Sequence, residues 1–251
     1  MQTKSVAIFG ATSALGQAVA RELLLVYAQQ GETSVHLFLV ARNESRMNEV
    51  ANDLKTRGAQ TTCIVCDMDA IDDHAELVDS LEDIEDFWFF YGSLPDQKQV
   101  QETWEATESA MLTNLLSPMS LLTNIANKLE QTGLGSLVVV SSVAGDRGRQ
   151  SNYIYGTAKG GLSLFCQGLR NRLAARSIPV MTVKPGFINT PMTQGIEKKP
   201  AVLWVTPDRV AREMVRAHSR GRDVLYTPWF WRYIMLVIKL IPESVFKKLS
   251  L

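Results

Sequence analysis

The chain has 251 residues, of which 46% are hydrophobic and 21% charged. Twenty-six lysines and arginines balance 26 acidic residues, which argues against a nucleic-acid partner and against an acidic tail. A chain of this length and ordinary composition buries a full core without metal or disulfide staples, and wholesale disorder is excluded.

In chain order, Lys4–Phe9 reads as a short apolar strand. Ala14–Gln30 has apolar residues at Leu15, Ala18, Val19, Leu23 and Val26, the spacing of a helix. Val35–Val40 is a second strand, Glu44–Arg57 a helix and Thr61–Cys66 a third strand. Ile71–Leu81 reads as a helix, Phe87–Tyr91 as a fourth strand, and Gln97–Glu130 as one or two helices. Ser136–Val140 is a fifth strand, Asn152–Arg176 a long helix and Ile178–Val183 a sixth strand. The stretch 192–205, with Trp204, carries few structural signals and is expected to be a mobile lid. Pro207–Arg220 is a helix and Val224–Tyr226 a last strand.

Strands and helices alternate, and the strands are continuous apolar runs, as in a parallel sheet covered on both faces. The expected fold is therefore α/β, with residues 1–251 forming a single domain. It is a doubly wound, Rossmann-type parallel sheet of about seven strands with helices on both faces. Residues 227–251 are expected to be an apolar helical tail of the same domain.

Cys63 and Cys66 form a C-x-x-C, but residues three apart on a strand point to opposite faces, so both are read as core residues. His36, His74 and His218 are scattered, and no metal site is expected. Residues 1–4 show no leader pattern, and no apolar run reaches the ~18 residues of a membrane span. A reducing, cytoplasmic setting is the expectation.

Three places carry chemistry. Strand one ends in Gly10-Ala-Thr-Ser-Ala-Leu-Gly16 ahead of a helix. Small residues there let the backbone approach a pyrophosphate seated on the helix N-terminus. Gly10, Thr12, Ser13, Leu15 and Gly16 are the candidate contacts, although Ala14 stands where a middle glycine is usual. Strand two ends Val40-Ala41-Arg42-Asn43 without an acid. Arg42 suits a ribose 2′-phosphate, so NADP is the expected cofactor with NAD the alternative. Asp67 after strand three suits an adenine amino group. Finally, Tyr155 and Lys159 share one face of the long helix. The expectation is that the ammonium lowers the phenol pKa from about 10 and lets Tyr155 act as general acid toward a carbonyl. Ser142 would hydrogen-bond the same carbonyl oxygen.

Together with Pro185-Gly-Phe-Ile-Asn-Thr190, these motifs resemble the short-chain dehydrogenase/reductases over residues 6 to about 192. The resemblance implies that Pro185, Gly186, Ile188 and Thr190 border the nicotinamide, with Thr190 on its carboxamide. It also implies that Lys159 holds the nicotinamide ribose. Asn114 matches the family's fourth catalytic residue, whose carbonyl holds a relay water. Pro118, four residues on, lacks the N–H that would otherwise occupy that carbonyl. Phe90-Tyr91-Gly92-Ser93 replaces the usual Asn-Asn-Ala-Gly, with Gly92 on the cofactor wall.

The stretch Ser141–Tyr155 and the close from Tyr226 onward are similar to the decaprenylphosphoryl-2-keto-ribose reductases. That branch implies an NAD(P)H-dependent reduction of a polyprenyl-phosphate-linked keto-sugar in cell-envelope metabolism. Arg147 and Arg149 lie in the loop between Ser142 and Tyr155, either where they would meet a substrate phosphate or as solvated loop charges. Trp229–Ile241 is apolar except for Arg232 and Lys239. It suits either an interfacial helix at the inner face of a membrane or a helix packed over the pocket or at a subunit interface. A soluble 3-oxoacyl or small-ketone reductase is the same-fold alternative. A non-catalytic nucleotide-sensing protein is the other, though it would need no Ser142, Tyr155 and Lys159. A homodimer or homotetramer is expected from the resemblance.

Overall fold

The structure is a computed structural model and describes residues 3–32, 34–196 and 200–249. Its centre is a seven-stranded, all-parallel sheet. The strands are β1 (Lys4–Phe9), β2 (Val35–Ala41), β3 (Gln60–Val65), β4 (Asp86–Phe89), β5 (Ser136–Val140), β6 (Val180–Pro185) and, last in the chain, β9 (Val224–Thr227). Their order is β3-β2-β1-β4-β5-β6-β9, so the winding reverses between β1 and β4. Ligands in such sheets bind beyond the carboxyl ends of the strands at that reversal.

Alternation within a strand divides the core into two layers. Val6 and Ile8 of β1 pack with α1 (Ala14–Gln29), α2 (Glu44–Thr56) and α8 (Pro207–His218). Ala7 and Phe9 face α3 (His74–Ser80), α6 (Ser117–Thr132) and α7 (Tyr153–Leu173). Cys63 packs on the first layer and Cys66 in the second, so the two thiols sit on opposite sides of the sheet.

Two regions depart from the expected elements. A further two-stranded parallel pair, β7 (Phe187–Ile188) with β8 (Trp204–Val205), lies outside the main sheet. Trp204 therefore belongs to a strand, stacked on Phe187 at 5.1 Å between ring centroids, rather than to a free lid. Part of the proposed lid, residues 197–199, lies outside the described residues, as do 250 and 251 of the tail. The region 97–130 holds α4 (Gln97–Val100), α5 (Trp104–Met111), a π turn over Leu112–Leu116, and then α6. The π turn ends where Ser117 donates its N–H to Leu112 O, and Pro118 follows in the first turn of α6, where its missing N–H leaves a carbonyl of the preceding turn without that partner. The chain closes with α9 (Trp231–Leu240) and α10 (Glu243–Phe246). No helix of the described residues is long and apolar enough to cross a membrane.

Candidate active site

Four loops meet beyond the carboxyl ends of β1, β4, β5 and β6. The first opens with Gly10 at φ +79°, a conformation that favours glycine. A Cβ there would stand 2.8 Å from Tyr91 N, so the loop also needs glycine for its close approach to the chain after β4. Ser13 Oγ accepts the N–H of Gly16 at 3.0 Å and caps α1. The first turn of α1 carries no acidic residue, leaving its positive end available to an anion. Thr12 is half-buried beside it. Leu15 is a core residue, so its backbone N–H is the group it presents at this end.

Arg42 follows β2 and is exposed, with Nη1 3.9 Å from Asp67 Oδ1. The two residues assigned from sequence to the adenosine half thus lie side by side in a loose surface ion pair, which contributes little by itself. Arg46, which sequence reasoning missed, donates from Nη2 to Thr12 O at 3.4 Å. It ties the first turn of α2 to the phosphate loop, four residues from Arg42.

The second loop is Phe90–Ser93. Gly92, at φ +150°, passes close to two polar side chains: a Cβ there would lie 2.8 Å from Asn114 Oδ1 and 3.2 Å from Lys159 Nζ. Asn114 is fully buried in the π turn, an insertion found often at functional sites. Its Oδ1 accepts the N–H of Ser93 at 3.1 Å, and its Nδ2 donates to Ser93 Oγ at 3.1 Å and to Ala110 O at 3.0 Å. The Gly92-Ser93 variant therefore grips Asn114 at both ends of its amide. Tyr91 in turn hydrogen-bonds Ser117 just beyond the π turn, at 2.8 Å.

The third loop carries Ser142, whose Oγ accepts the N–H of Ala144 and caps a 3-10 turn over Val143–Asp146. That turn lies directly on α7: a Cβ on Gly145 would fall 2.5 Å from Gly160 N. This contact seats the Ser142 turn on the helix that carries Tyr155 and Lys159, with Ser142 beside the Tyr155 phenol, and no sequence pattern had singled out Gly145. Ser141 fastens the same place through Lys159 O and Ser163 Oγ, both at 2.8 Å. Lys159 is 4% exposed. Its Nζ reaches Val140 O at 3.4 Å and lies 5.9 Å from the Tyr155 ring centroid.

The electrostatics correct one expectation. Burial pushes the Tyr155 phenol up to about 12, with hydrogen bonding to Ser142 acting the other way. Burial also draws the Lys159 ammonium down to about 8. Desolvation thus outweighs the attraction that was expected to favour phenolate, and it keeps Tyr155 protonated at neutral pH.

The fourth loop runs from Pro185. Gly186 donates its N–H to Thr227 O at 3.0 Å, and the Trp231 indole lies against it. Ile188 is buried in the core layer against α1 and α8, while Thr190 is half-buried at the head of a short 3-10 turn. The sequence placed Arg147 near a substrate phosphate, but its donors are engaged elsewhere. Nη1 bonds Ile238 O and Ile241 O, both at 2.6 Å, Nη2 bonds Glu243 at 2.9 Å, and the guanidinium covers Phe246. It caps the carboxyl end of α9 and holds the C-terminal arm to the Ser142 loop. His74 and His218 likewise spend their Nε2 atoms on Met68 O and Ser136 Oγ, and no metal-ligating group of three forms among the described residues.

Comparison with known proteins agrees with this geometry. The model of the short chain dehydrogenase family matches residues 4–201. An uncharacterized oxidoreductase of Mycobacterium tuberculosis is 35% identical over 249 residues, covering 97% of this chain and 96% of the relative. A 3-oxoacyl-[acyl-carrier-protein] reductase of Bos taurus is 31% identical over 200 residues, covering 78% and 80%. A short-chain dehydrogenase from Sphingobium yanoikuyae, solved in complex with NADPH, superposes with a TM-score of 0.79 at 22% identity, covering 96% and 97%. The match over most of the chain, joined to the relatives' names, makes this protein an oxidoreductase of the short-chain dehydrogenase family.

Proposed function

We propose that the protein is an NADPH-dependent ketone reductase, with NADH the weaker alternative. The observation that carries this reading is the grouping of Asn114, Ser142, Tyr155 and Lys159 around the loops after β4 and β5: buried Asn114 and Lys159 meet beside Gly92, and Ser142 pairs with the half-buried Tyr155. The phosphate end fits a dinucleotide, since a glycine-lined turn leads to a positive helix end with no acidic residue in its first turn and two arginines beyond it. The NADPH bound to the Sphingobium neighbour supports the same cofactor here. When bound, NADPH supplies the hydride.

This chain supplies the rest. Ser142 donates a hydrogen bond to the ketone oxygen and orients it. Tyr155, held protonated by burial, gives its proton to that oxygen as the carbon is reduced. Lys159 stabilises the phenolate left behind, and Asn114 lines the route by which the proton is replaced. Pro185, Gly186, Ile188 and Thr190 bound the nicotinamide side, Ile188 through its backbone. A phenol that resists ionisation suits reduction better than oxidation at neutral pH.

For the substrate, we infer a keto-sugar on a polyprenyl phosphate. The support is the likeness of the Ser141–Tyr155 stretch to the keto-ribose reductases, and the aromatic wall of Phe187, Trp204 and Trp231 around the arm. A 3-oxoacyl thioester is the second reading, favoured by the bovine relative. The exposed Trp104, Leu116 and Leu164 around α5 and α7 support a homodimer or homotetramer.

The test is NADPH oxidation with each substrate, for the wild type and for Tyr155→Phe. Turnover of the polyprenyl keto-pentose alone supports the full reading, and turnover of the thioester alone selects the second. Tyr155→Phe is expected to lower turnover by about 100-fold or more while NADPH titration stays unchanged. Undiminished turnover in that variant would sink the proton-donor role.

A further inference from the structure

Helix α9 has two apolar stripes. Trp231 and Met235 are buried, with Ile234 and Ile238 beside them, against Val143 and Phe187. Tyr233, Leu236, Val237 and Leu240, at the same helical spacing, point away, and Leu240 is 72% exposed. Trp229, 66% exposed, stands edge-on to Tyr233 at 5.9 Å. A helix apolar on both sides is normally covered on both, yet among the described residues the outer stripe has no cover.

The charges carried by the same arm point to the cover. Between residues 229 and 249 there are four cations, Arg232, Lys239, Lys247 and Lys248, and one acid, Glu243. All four cations are exposed; Glu243 is exposed too, but its charge is paired with Arg147. A cleft of about 280 Å³ opens on the same arm between Arg149, Tyr153 and Lys247. Arg149 Nε is buried there with no partner among the described residues. A two-fold pairing of this stripe with a second copy would bring like charges together, a costly arrangement. A surface rich in phosphates removes that cost. Trp and Tyr at the rim with lysine and arginine alongside are the residue types that settle at a headgroup boundary.

We propose that the C-terminal arm docks on an anionic lipid surface. Trp229, Tyr233, Leu236, Val237 and Leu240 enter the headgroup–acyl boundary, and Arg232, Lys239, Lys247 and Lys248 meet the lipid phosphates. The inference stands apart from the reductase reading, because none of these side chains belongs to the catalytic group.

The experiment is co-sedimentation of the full chain with phosphatidylcholine vesicles, with and without phosphatidylglycerol, at low and high salt. Binding is expected on the anionic vesicles and is expected to weaken with salt. The double variant Arg232→Glu/Lys239→Glu should lose roughly tenfold or more in affinity. The triple variant Tyr233→Ser/Leu236→Ser/Leu240→Ser should lose binding altogether. Unchanged far-UV circular dichroism and NADPH titration would show that both variants remain folded. Equal binding to neutral and anionic vesicles, or binding to neither, overturns the proposal. So does a dimer in sedimentation analysis that the triple variant converts to monomer, because the stripe would then be covered by a second copy.

Discussion

Lys159 carries its charge in a place that penalises it, and that has two readable consequences. Its folded pKa of about 8 lies below its ordinary 10.5. The unfolded chain therefore binds more protons between those values, and stability rises with pH across that window. Below pH 8 the penalty is present in full, so Lys159→Met should gain up to about 3 kcal/mol at neutral pH, an advantage that shrinks toward pH 10.5. Tyr155 has the opposite sign, since its raised pKa removes stability between about 10 and 12. Denaturant midpoints across pH, wild type against variant, check both. In catalysis, kcat/KM for ketone reduction should fall as pH rises through about 8, where Lys159 loses its proton. A limb near 10.5 instead would refute the assigned environment. At the other end of the cofactor groove, Arg42→Ala and Arg46→Ala should each weaken NADPH by roughly tenfold, the loss of one charge-assisted hydrogen bond, and NADH hardly at all. Titrations following nicotinamide fluorescence decide this, and equal losses for both cofactors would remove the two arginines from the 2′-phosphate. Arg42 was legible because it ends a strand in a known place. Arg46 was not, because its contact with Thr12 depends on how α2 lies over the loop.

Elements were legible where one physical signal dominated. Strands β1 and β5 begin and end where their apolar runs do, and α1 starts at the residue after its Ser13 cap. The pair β7–β8 escaped notice because two residues a strand leave no periodicity, and its partners are separated by a 15-residue connection. The π turn escaped for a different reason: Pro118 announces a broken helix but not which way the backbone gives. Trp231 shows how a sequence-local glycine depends on a distant element. A Cβ on Gly186 would lie 1.8 Å from Trp231 Nε1, in an indole that is 4% exposed. Gly186→Ala must therefore unseat α9, at a cost of about 1–3 kcal/mol, with a red shift of tryptophan emission. Trp231→Ala alone should cost about 3–5 kcal/mol. Adding Gly186→Ala to it should then cost almost nothing, because the clash has gone. Strictly additive losses in thermal unfolding would mean that the indole does not depend on that glycine.

Across the whole molecule, one carboxylate joins the Ser142 turn to β6 and β9. Asp146 ends the turn that begins at Ser142, Lys184 precedes Pro185 on β6, and Tyr226 lies on β9 just before the arm. Lys184 Nζ meets Asp146 Oδ1 at 2.5 Å, and Tyr226 Oη donates to Oδ2 at 2.7 Å. The carboxylate is 2% exposed and the lysine side chain 11%. Burial, reinforced by the Asp146 charge, raises the Tyr226 phenol above its ordinary range, so it remains a hydrogen-bond donor. Nothing in the sequence announced this cluster, because its members are 38 and 42 residues apart and each is ordinary in its own surroundings. Desolvating the pair offsets much of its attraction, so its net contribution to stability is small while it remains intact. Breaking it is another matter. Asp146→Asn leaves the Lys184 ammonium buried without a counter-charge, and should cost about 3–5 kcal/mol. Adding Lys184→Met removes the orphaned charge and should recover most of that loss. The double variant should also keep its NADPH affinity, which is set at the far end of the groove, while KM for the ketone rises as the Ser142 turn and the arm lose their common anchor. Denaturant midpoints with a kcat and KM series separate these effects. If the double variant were no more stable than Asp146→Asn, the buried charge would not be what the carboxylate is there to balance.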